Sequence, residues 1–218
     1  MKIFKIPVTT IRQNCRIVVD EKTKASAVVD PGGEVAKIFD FILEQQLQVT
    51  HILLTHAHFD HAGGVQELLD YLEALEYYPL FLAHKNEAQL RAGLKQQLEN
   101  FGMESWGLEN CPEPQQYLSD GEIIEIGNLK IKTLFTPGHS PGHLSFFIDD
   151  STAPCVITGD ALFKNSIGRT DLPGANHQVL IKSIKEKLLS LPLHTLVLPG
   201  HGSDSSIQEE IKNNPYLQ

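Results

Sequence analysis

Cysteine is scarce, with three in 218 residues at positions 15, 111 and 155. An odd number, wide spacing and no C-x-x-C pair exclude a disulfide framework and argue against a zinc-thiolate knuckle, so a reducing compartment is expected. Positive charge is short as well: 18 Lys+Arg against 27 Asp+Glu leave a formal charge of −9. That balance excludes a broad nucleic-acid surface, which would need basic groups to neutralise phosphates, though a small local basic patch stays open. No apolar run approaches membrane-spanning length, and Lys5, Pro7 and Thr9 interrupt the N-terminal stretch before it reaches signal-peptide length. Apolar content of 41% and charged content of 21% are ordinary for a globular chain and exclude collagen, coiled coil and disorder. With no low-complexity linker to divide it, the chain is expected to be one soluble cytoplasmic domain over residues 1–218, with no membrane and no nucleic acid among its partners.

Strand-like and helix-like patterns alternate along both halves. Ile3 to Val8, Arg16 to Asp20 and Ala25 to Asp30 read as short strands, the last two joined by the polar turn Glu21 to Lys24. The break Pro31-Gly32-Gly33 follows. Glu34 to Gln48 carries Val35, Ile38, Phe39, Ile42, Leu43 and Leu47 at helical spacing, and His51 to Thr55 reads as a buried strand. Leu68 to Leu75 and Glu87 to Asn100 predict two more helices. The second half opens with a hairpin, Glu122 to Ile126 and Leu129 to Phe135 around Gly127-Asn128. Strands at Leu144 to Ile148 and Cys155 to Thr158 follow, then a helix at Gln178 to Ser190, a strand at Thr195 to Leu198 and a closing helix from Ser206. The whole reads as one α/β domain of two similar layers.

Against three cysteines stand 10 histidines, and several sit just after predicted strands. His56-Ala-His58-Phe-Asp60-His61 follows the strand HILLT; His139 lies in TPGH, Asp160 in ITGD and His201 in VLPGH. At this composition an H-x-H-x-D-H run arises by chance about once in 1,000 such chains, so the match is specific. The other three pieces are weak alone, but each ends a predicted strand, where open α/β sheets place their sites. Imidazole and carboxylate donors suit zinc, iron or manganese rather than a structural thiolate site. His56 and His58, two apart on extended backbone, point to one side, while Asp60 and His61 lie past the turn and can face a second ion. Glycines flank the ligands and allow the turns that aim them.

In order and over nearly the whole chain, THAHFDH, TPGH, GD and PGHG resemble the metal motifs of the metallo-β-lactamase superfamily. The resemblance implies an αββα sandwich, two mixed β-sheets flanked by helices. It also implies His56, His58 and His139 on one ion, Asp60, His61 and His201 on a second, and Asp160 between them, with zinc, iron or manganese as the metal. GDALFKNSIGRTDLPG and the closing NNPYL are similar to short glyoxalase II-like hydrolases, and GRTD also to persulfide dioxygenases. Asp160 stands where many zinc β-lactamases of this superfamily carry cysteine, which counts against antibiotic hydrolysis. No basic tRNA-binding insertion supports a nuclease.

Two ions about 3.5–4 Å apart can hold a hydroxide and stabilise a tetrahedral oxyanion, with Asp60 orienting that hydroxide as the catalytic carboxylate. A thioester suits such a site because a thiolate leaves readily, so the expected reaction is hydrolysis of a glutathione thioester such as S-lactoylglutathione. The alternatives are a one-iron dioxygenase acting on glutathione persulfide and a metal-stabilised binding module. Glutathione carries carboxylates, which makes Lys164 and Arg169 the substrate-contact candidates, although Arg169 can equally pair with Asp171. His143 and Asp30 are expected either to support the site or to be purely structural. His51 is read as a satisfied strand-edge residue, and His84, His177 and His194 as surface positions. Cys155 reads as a small core residue, and the insert Tyr77 to Cys111, with Phe101 and Trp106, either covers the site or packs a helix pair.

Overall fold

The computed structural model describes residues 1–108 and 110–218, which form two compact units. Unit 1 holds residues 1–117 with the hairpin tip 126–129, and unit 2 holds 118–125 and 130–218.

Unit 1 is built on a six-stranded mixed sheet in sequential order. β1 (Lys2–Val8), β2 (Gln13–Val19) and β3 (Ala25–Val29) run antiparallel as a meander, and β4 (Gln48–Leu53), β5 (Leu80–Ala83) and β6 (Gln116–Tyr117) continue parallel to β3. Parallel neighbours need crossovers. The first is α1 (Val35–Glu44), which buries Val35, Ile38 and Ile42, and the second runs through α2 (Phe59–Ala62) and α3 (Val65–Glu73), the latter burying Val65, Leu68 and Leu72. Burying each of these side chains contributes roughly 1.5–3 kcal/mol, so the apolar stripes hold both crossovers to one core. Because β3 and β4 are parallel, the loops after them, Asp30–Gly33 and Leu54–His58, leave the sheet at the same end.

Unit 2 carries a second six-stranded mixed sheet, in the order β14-β13-β10-β9-β8-β7. Its strands are β7 (Ile123–Ile126), β8 (Leu129–Phe135), β9 (Leu144–Ile148), β10 (Cys155–Gly159), β13 (Leu196–Pro199) and β14 (Ser205–Ser206). A small hairpin of β11 (Leu162–Phe163) and β12 (Ser166–Ile167) follows β10. β9 is antiparallel to both β8 and β10, and β10 is parallel to β13, so β8, β10 and β13 point the same way. α6 (His177–Ser183) runs on into a π-helical stretch, Ile184–Leu188, and α7 (Ile207–Asn213) closes the chain. Leu180, Ile184, Leu188 and Ile207 from these helices pack with Val156 and Val197 of the sheet.

The two mixed sheets with flanking helices are those expected. Three differences have local causes. The first predicted helix stops at Glu44 because Gln46 takes φ 54°, which frees Gln48 to begin β4. The helix predicted over Glu87 to Asn100 breaks at Gly93 into α4 (Ala88–Ala92) and α5 (Leu94–Phe101), preceded by a 3-10 turn at Lys85–Glu87. The short strands β5, β6, β11, β12 and β14 went unread because two to four residues carry too little periodicity.

In unit 2 the Glu210 carboxylate is fully buried and accepts from Ser205 Oγ, from Asn165 N at 2.9 Å and from Asn214 Nδ2 at 2.8 Å. Asn214 in turn donates to Ser166 O at 3.0 Å. The NNPYL tail and α7 thereby clamp the β11–β12 hairpin, which leads into the loop Gly168–Asp171. Glu210→Ala should lower unfolding stability by roughly 2–4 kcal/mol, since it strands buried donors, as read by urea denaturation. The three thiols are all buried. Burial pushes Cys111 up to about 12 and also raises Cys15, where the Asp30 charge adds to the effect. Native protein at pH 8 should therefore resist iodoacetamide that labels it readily in urea, with mass spectrometry counting the adducts.

Candidate metal centre

Unit 1 brings His56, His58, Asp60 and His61 together after β4. The rings of His56 and His58 lie 4.7 Å apart and nearly perpendicular, and those of His56 and His61 4.0 Å apart. All four residues are buried, His56 and His61 completely, and Asp60 Oδ2 stands 3.5 Å from His61 Nε2. Histidine and aspartate packed this tightly in a core must answer one another's charge or hold a cation.

The hydrogen bonds behind these rings decide which nitrogen can bind a cation. Asp30 Oδ2 accepts from Thr55 Oγ1 at 2.7 Å, and that uses the only hydroxyl proton of Thr55. The contact between Thr55 Oγ1 and His56 Nδ1, 3.0 Å, must then be donated by the imidazole. His61 Nδ1 lies 2.8 Å from the same Asp30 oxygen and donates to it. Both rings are thus held with the proton on Nδ1 and the lone pair on Nε2, the usual outer partnership of a metal-binding histidine. Asp30 Oδ1 also accepts the Thr55 N–H at 2.7 Å, so one buried carboxylate fixes the loop and two of its rings.

The run's backbone is held from two further elements. Glu87 Oε2 accepts from Ala57 N at 2.7 Å; Gln97 Nε2 donates to Ala57 O at 3.1 Å and its Oε1 accepts from Phe59 N at 3.1 Å. Gly32 permits the closest approach: a Cβ there would lie 1.5 Å from the carbonyl oxygen of Asp60. No other residue fits between the two loops.

Unit 2 gathers His139 after β8, Asp160 after β10 and His201 after β13, all at the end toward which those three strands point. Asp160 Oδ2 lies 3.7 Å from His139 Nε2 and 3.8 Å from His201 Nε2. His139 Nδ1 donates to the carbonyl of Arg169 at 2.8 Å, which again leaves the lone pair on Nε2. His143 supports Asp160: its Nε2 accepts the Asp160 N–H at 3.1 Å, so its Nδ1 is the donor to Thr136 Oγ1 at 2.9 Å. A Cβ on Gly168 would sit 1.8 Å from Asp160 O and 3.1 Å from the His139 ring, so the GRTD loop can close on both residues only with glycine there. Nitrogen and carboxylate donors aimed this way suit divalent metal ions.

The remaining sequence candidates divide. Arg169 is exposed and bonds both oxygens of Asp171, at 2.8 Å each, which draws the Asp171 carboxyl down to about 2. Its carbonyl, which no side-chain pattern could reveal, is the part that touches the centre. Lys164 is exposed on the β11–β12 turn. His143 and Asp30 both take the supporting role. His84 is buried rather than at the surface: its Nδ1 accepts from Asn86 N, and burial lowers its basicity. His51 lies on β4 in the sheet interior rather than at an edge. Phe101 and Trp106 pack on Phe59 at 5.4 and 5.5 Å, so the insert backs the ligand helix. Glu87 and Gln97 were missed because a single glutamate or glutamine on a predicted helix carries no signal of what it will bind.

Asp30→Asn keeps the size but replaces one acceptor oxygen with a donor, so it cannot accept from Thr55 N, Thr55 Oγ1 and His61 Nδ1 all together. Its metal affinity should fall about 10–100-fold with the fold retained, as read by competition with a chelating dye and by circular dichroism.

The sequence profile described as the metallo-beta-lactamase superfamily matches residues 9–201. A relative from Bacillus subtilis, named probable metallo-hydrolase YqgX, is 42% identical over 218 residues, covering all of this chain and 98% of that protein. Hydroxyacylglutathione hydrolase GloC of Haemophilus influenzae is 34% identical over 217 residues, covering all of this chain and 98% of its own length. Among solved structures, that of BLEG-1, described as a B3 metallo-beta-lactamase, superposes with a TM-score of 0.87 at 32% identity over the whole of both chains. Imidazole and carboxylate donors stand after the strands of both units, and the profile and these relatives span the same stretch of sequence: the chain is a metallo-hydrolase of the metallo-β-lactamase superfamily.

Proposed function

We propose that this chain hydrolyses glutathione thioesters, S-lactoylglutathione among them, and that residues 1–218 work as one functional domain. The observation that carries the reading is the end-to-end likeness to the hydrolase GloC, whose name states that activity. In this reading His56, His58 and His139 would hold one divalent ion, Asp60, His61 and His201 would hold a second, and Asp160 would serve both. Zinc, iron and manganese all suit such donors. Bound there, divalent ions lower the pKa of water toward neutrality and polarise a carbonyl.

The chain's own residues do the rest. Asp30, through Thr55 and directly, keeps the His56 and His61 lone pairs on Nε2, and the Arg169 carbonyl does the same for His139. Asp60 orients the attacking water and takes its proton on the carboxylate. The thiolate leaves without a strong acid beside it, which is why no further general acid is required. Lys164 and Arg169 meet the glutathione carboxylates. Arg169 commits Nε and Nη2 to Asp171, so a substrate carboxylate reaches Nη1 or displaces Asp171.

No helix among the described residues is long and apolar enough to cross a membrane, and all three cysteines are buried thiols, which accords with a cytoplasmic setting where glutathione is abundant.

The test is metal analysis of the purified protein beside turnover of S-lactoylglutathione, glutathione persulfide and a β-lactam, the last because of the likeness to BLEG-1. Two ions per chain with thioester cleavage, lost at least 1,000-fold in Asp160→Ala, support the reading. One iron per chain with oxygen uptake on the persulfide, or cleavage of the β-lactam alone, replaces it.

A further inference from the structure

Unit 1 contains a cavity of about 450 Å³ that the reaction above does not use. Thr9, Thr10, Gly33, Glu34, Trp106 and Leu108 line it. Its size falls within the roughly 300–1,000 Å³ of sites that take small organic groups.

One contact and two chain connections join this cavity to the histidine-rich run of the same unit. Trp106 stands edge-on against Phe59, the residue between His58 and Asp60, with ring centres 5.5 Å apart. Gly33 follows Gly32, which lies against the backbone of Asp60. The loop Thr9–Arg12 joins β1 to β2 and leads into Gln13, whose amide reaches His61 Nδ1 at 3.4 Å. A group held in the cavity therefore lies beside the H-x-H-x-D-H run.

The backbone around it is strained at two lining residues. Thr9 has φ 64° and Glu34 φ 46°, both in the left-handed region, where a β-branched residue is a genuine outlier. The Glu34 carboxylate accepts the N–H of Thr9, so the two strained residues fasten each other. Such outliers persist where surrounding structure imposes them, and they gather at ligand clamps.

The lining also selects what can enter. The indole of Trp106 and the side chain of Leu108 form an apolar wall, and Glu34 is the one ionisable group among the six. An anionic carboxylate there repels the carboxylates of glutathione and tolerates an uncharged group. We infer that this cavity is the acyl pocket: it receives the apolar or aromatic R group of the thioester, and it favours uncharged acyl groups larger than lactoyl. The inference rests on the thioester reading for the bond cleaved, but not for what the cavity binds.

Trp106 is the only tryptophan in the chain, so its fluorescence reports the cavity directly. The purified, metal-loaded protein is titrated with the uncharged N-methylamides of acetic, butyric and phenylacetic acid. In parallel, kcat/KM is measured for acetyl-, lactoyl- and phenylacetyl-glutathione. The expected result is a saturable fluorescence change whose Kd falls about tenfold from the acetic to the phenylacetic amide, with a similar gain in kcat/KM. Thr10→Tyr, at an exposed lining position, and Leu108→Phe narrow the cavity. Each should lower the ratio of phenylacetyl to acetyl kcat/KM about tenfold and remove the response to the phenylacetic amide. A fluorescence signal silent to all three amides, or unchanged in both variants, overturns the acyl pocket even if thioesters are cleaved. Amide binding that follows acyl size while no thioester is cleaved keeps the pocket and overturns the reaction.

Discussion

One buried carboxylate, that of Asp30, carries more of unit 1's site than any ligand does. It sits at the end of β3 with φ 56°, is 2% exposed, and accepts from Thr55 N, Thr55 Oγ1 and His61 Nδ1. A charge so deeply placed is tolerable only when hydrogen bonds answer it, and here the donors are the loop and rings that must be aimed. Parallel pairing of β3 and β4 is what brings Asp30 within reach, because it releases both loops at one end of the sheet. The fold and the tautomers of two histidines are thereby one problem with one solution. The left-handed backbone at Asp30 accompanies those three bonds.

Unit 2 reaches the same end by other means. There a backbone carbonyl, that of Arg169, orients His139, and a neutral histidine, His143, holds the amide of Asp160. The first of these depends on the GRTD loop lying almost on top of Asp160, which only the hydrogen atom of Gly168 permits. That loop is anchored in turn by Glu210 and Asn214 from the last helix and the tail. Residues 210–214 thereby help position Asp160, some fifty residues upstream. Rigid packing of this kind suits a centre whose donors must be preorganised before any ion arrives.

Legibility in the sequence followed signal strength. The H-x-H-x-D-H run is specific by composition alone, and TPGH, GD and PGHG gained meaning from their places at strand ends. The longer helices and strands showed their periods. The short strands β5, β6, β11, β12 and β14 did not, and the helix over Glu87 to Asn100 concealed its break because Gly93 is tolerated in a helix at a modest cost. Asp30 and His143 stood out as residues with two readings. Only coordinates could choose between those readings, because a supporting role is defined by which atom faces which. Glu87, Gln97 and the carbonyl of Arg169 gave no sign at all.

By itself, then, the amino-acid order determined the chemistry on offer: many imidazoles and carboxylates, few thiols, a net negative charge, and ligands placed where strands end. Those properties are local, set by residue type and by spacing of a few positions. The tertiary structure decided which nitrogen of each ring is left to bind, which glycines are indispensable, and where a cavity walled by the single tryptophan opens beside the ligand run. Each of these depends on contacts between residues tens of positions apart, Asp30 with His61, Gly168 with His139, Trp106 with Phe59. Such contacts are made by strand order and loop closure, and neither composition nor periodicity encodes them.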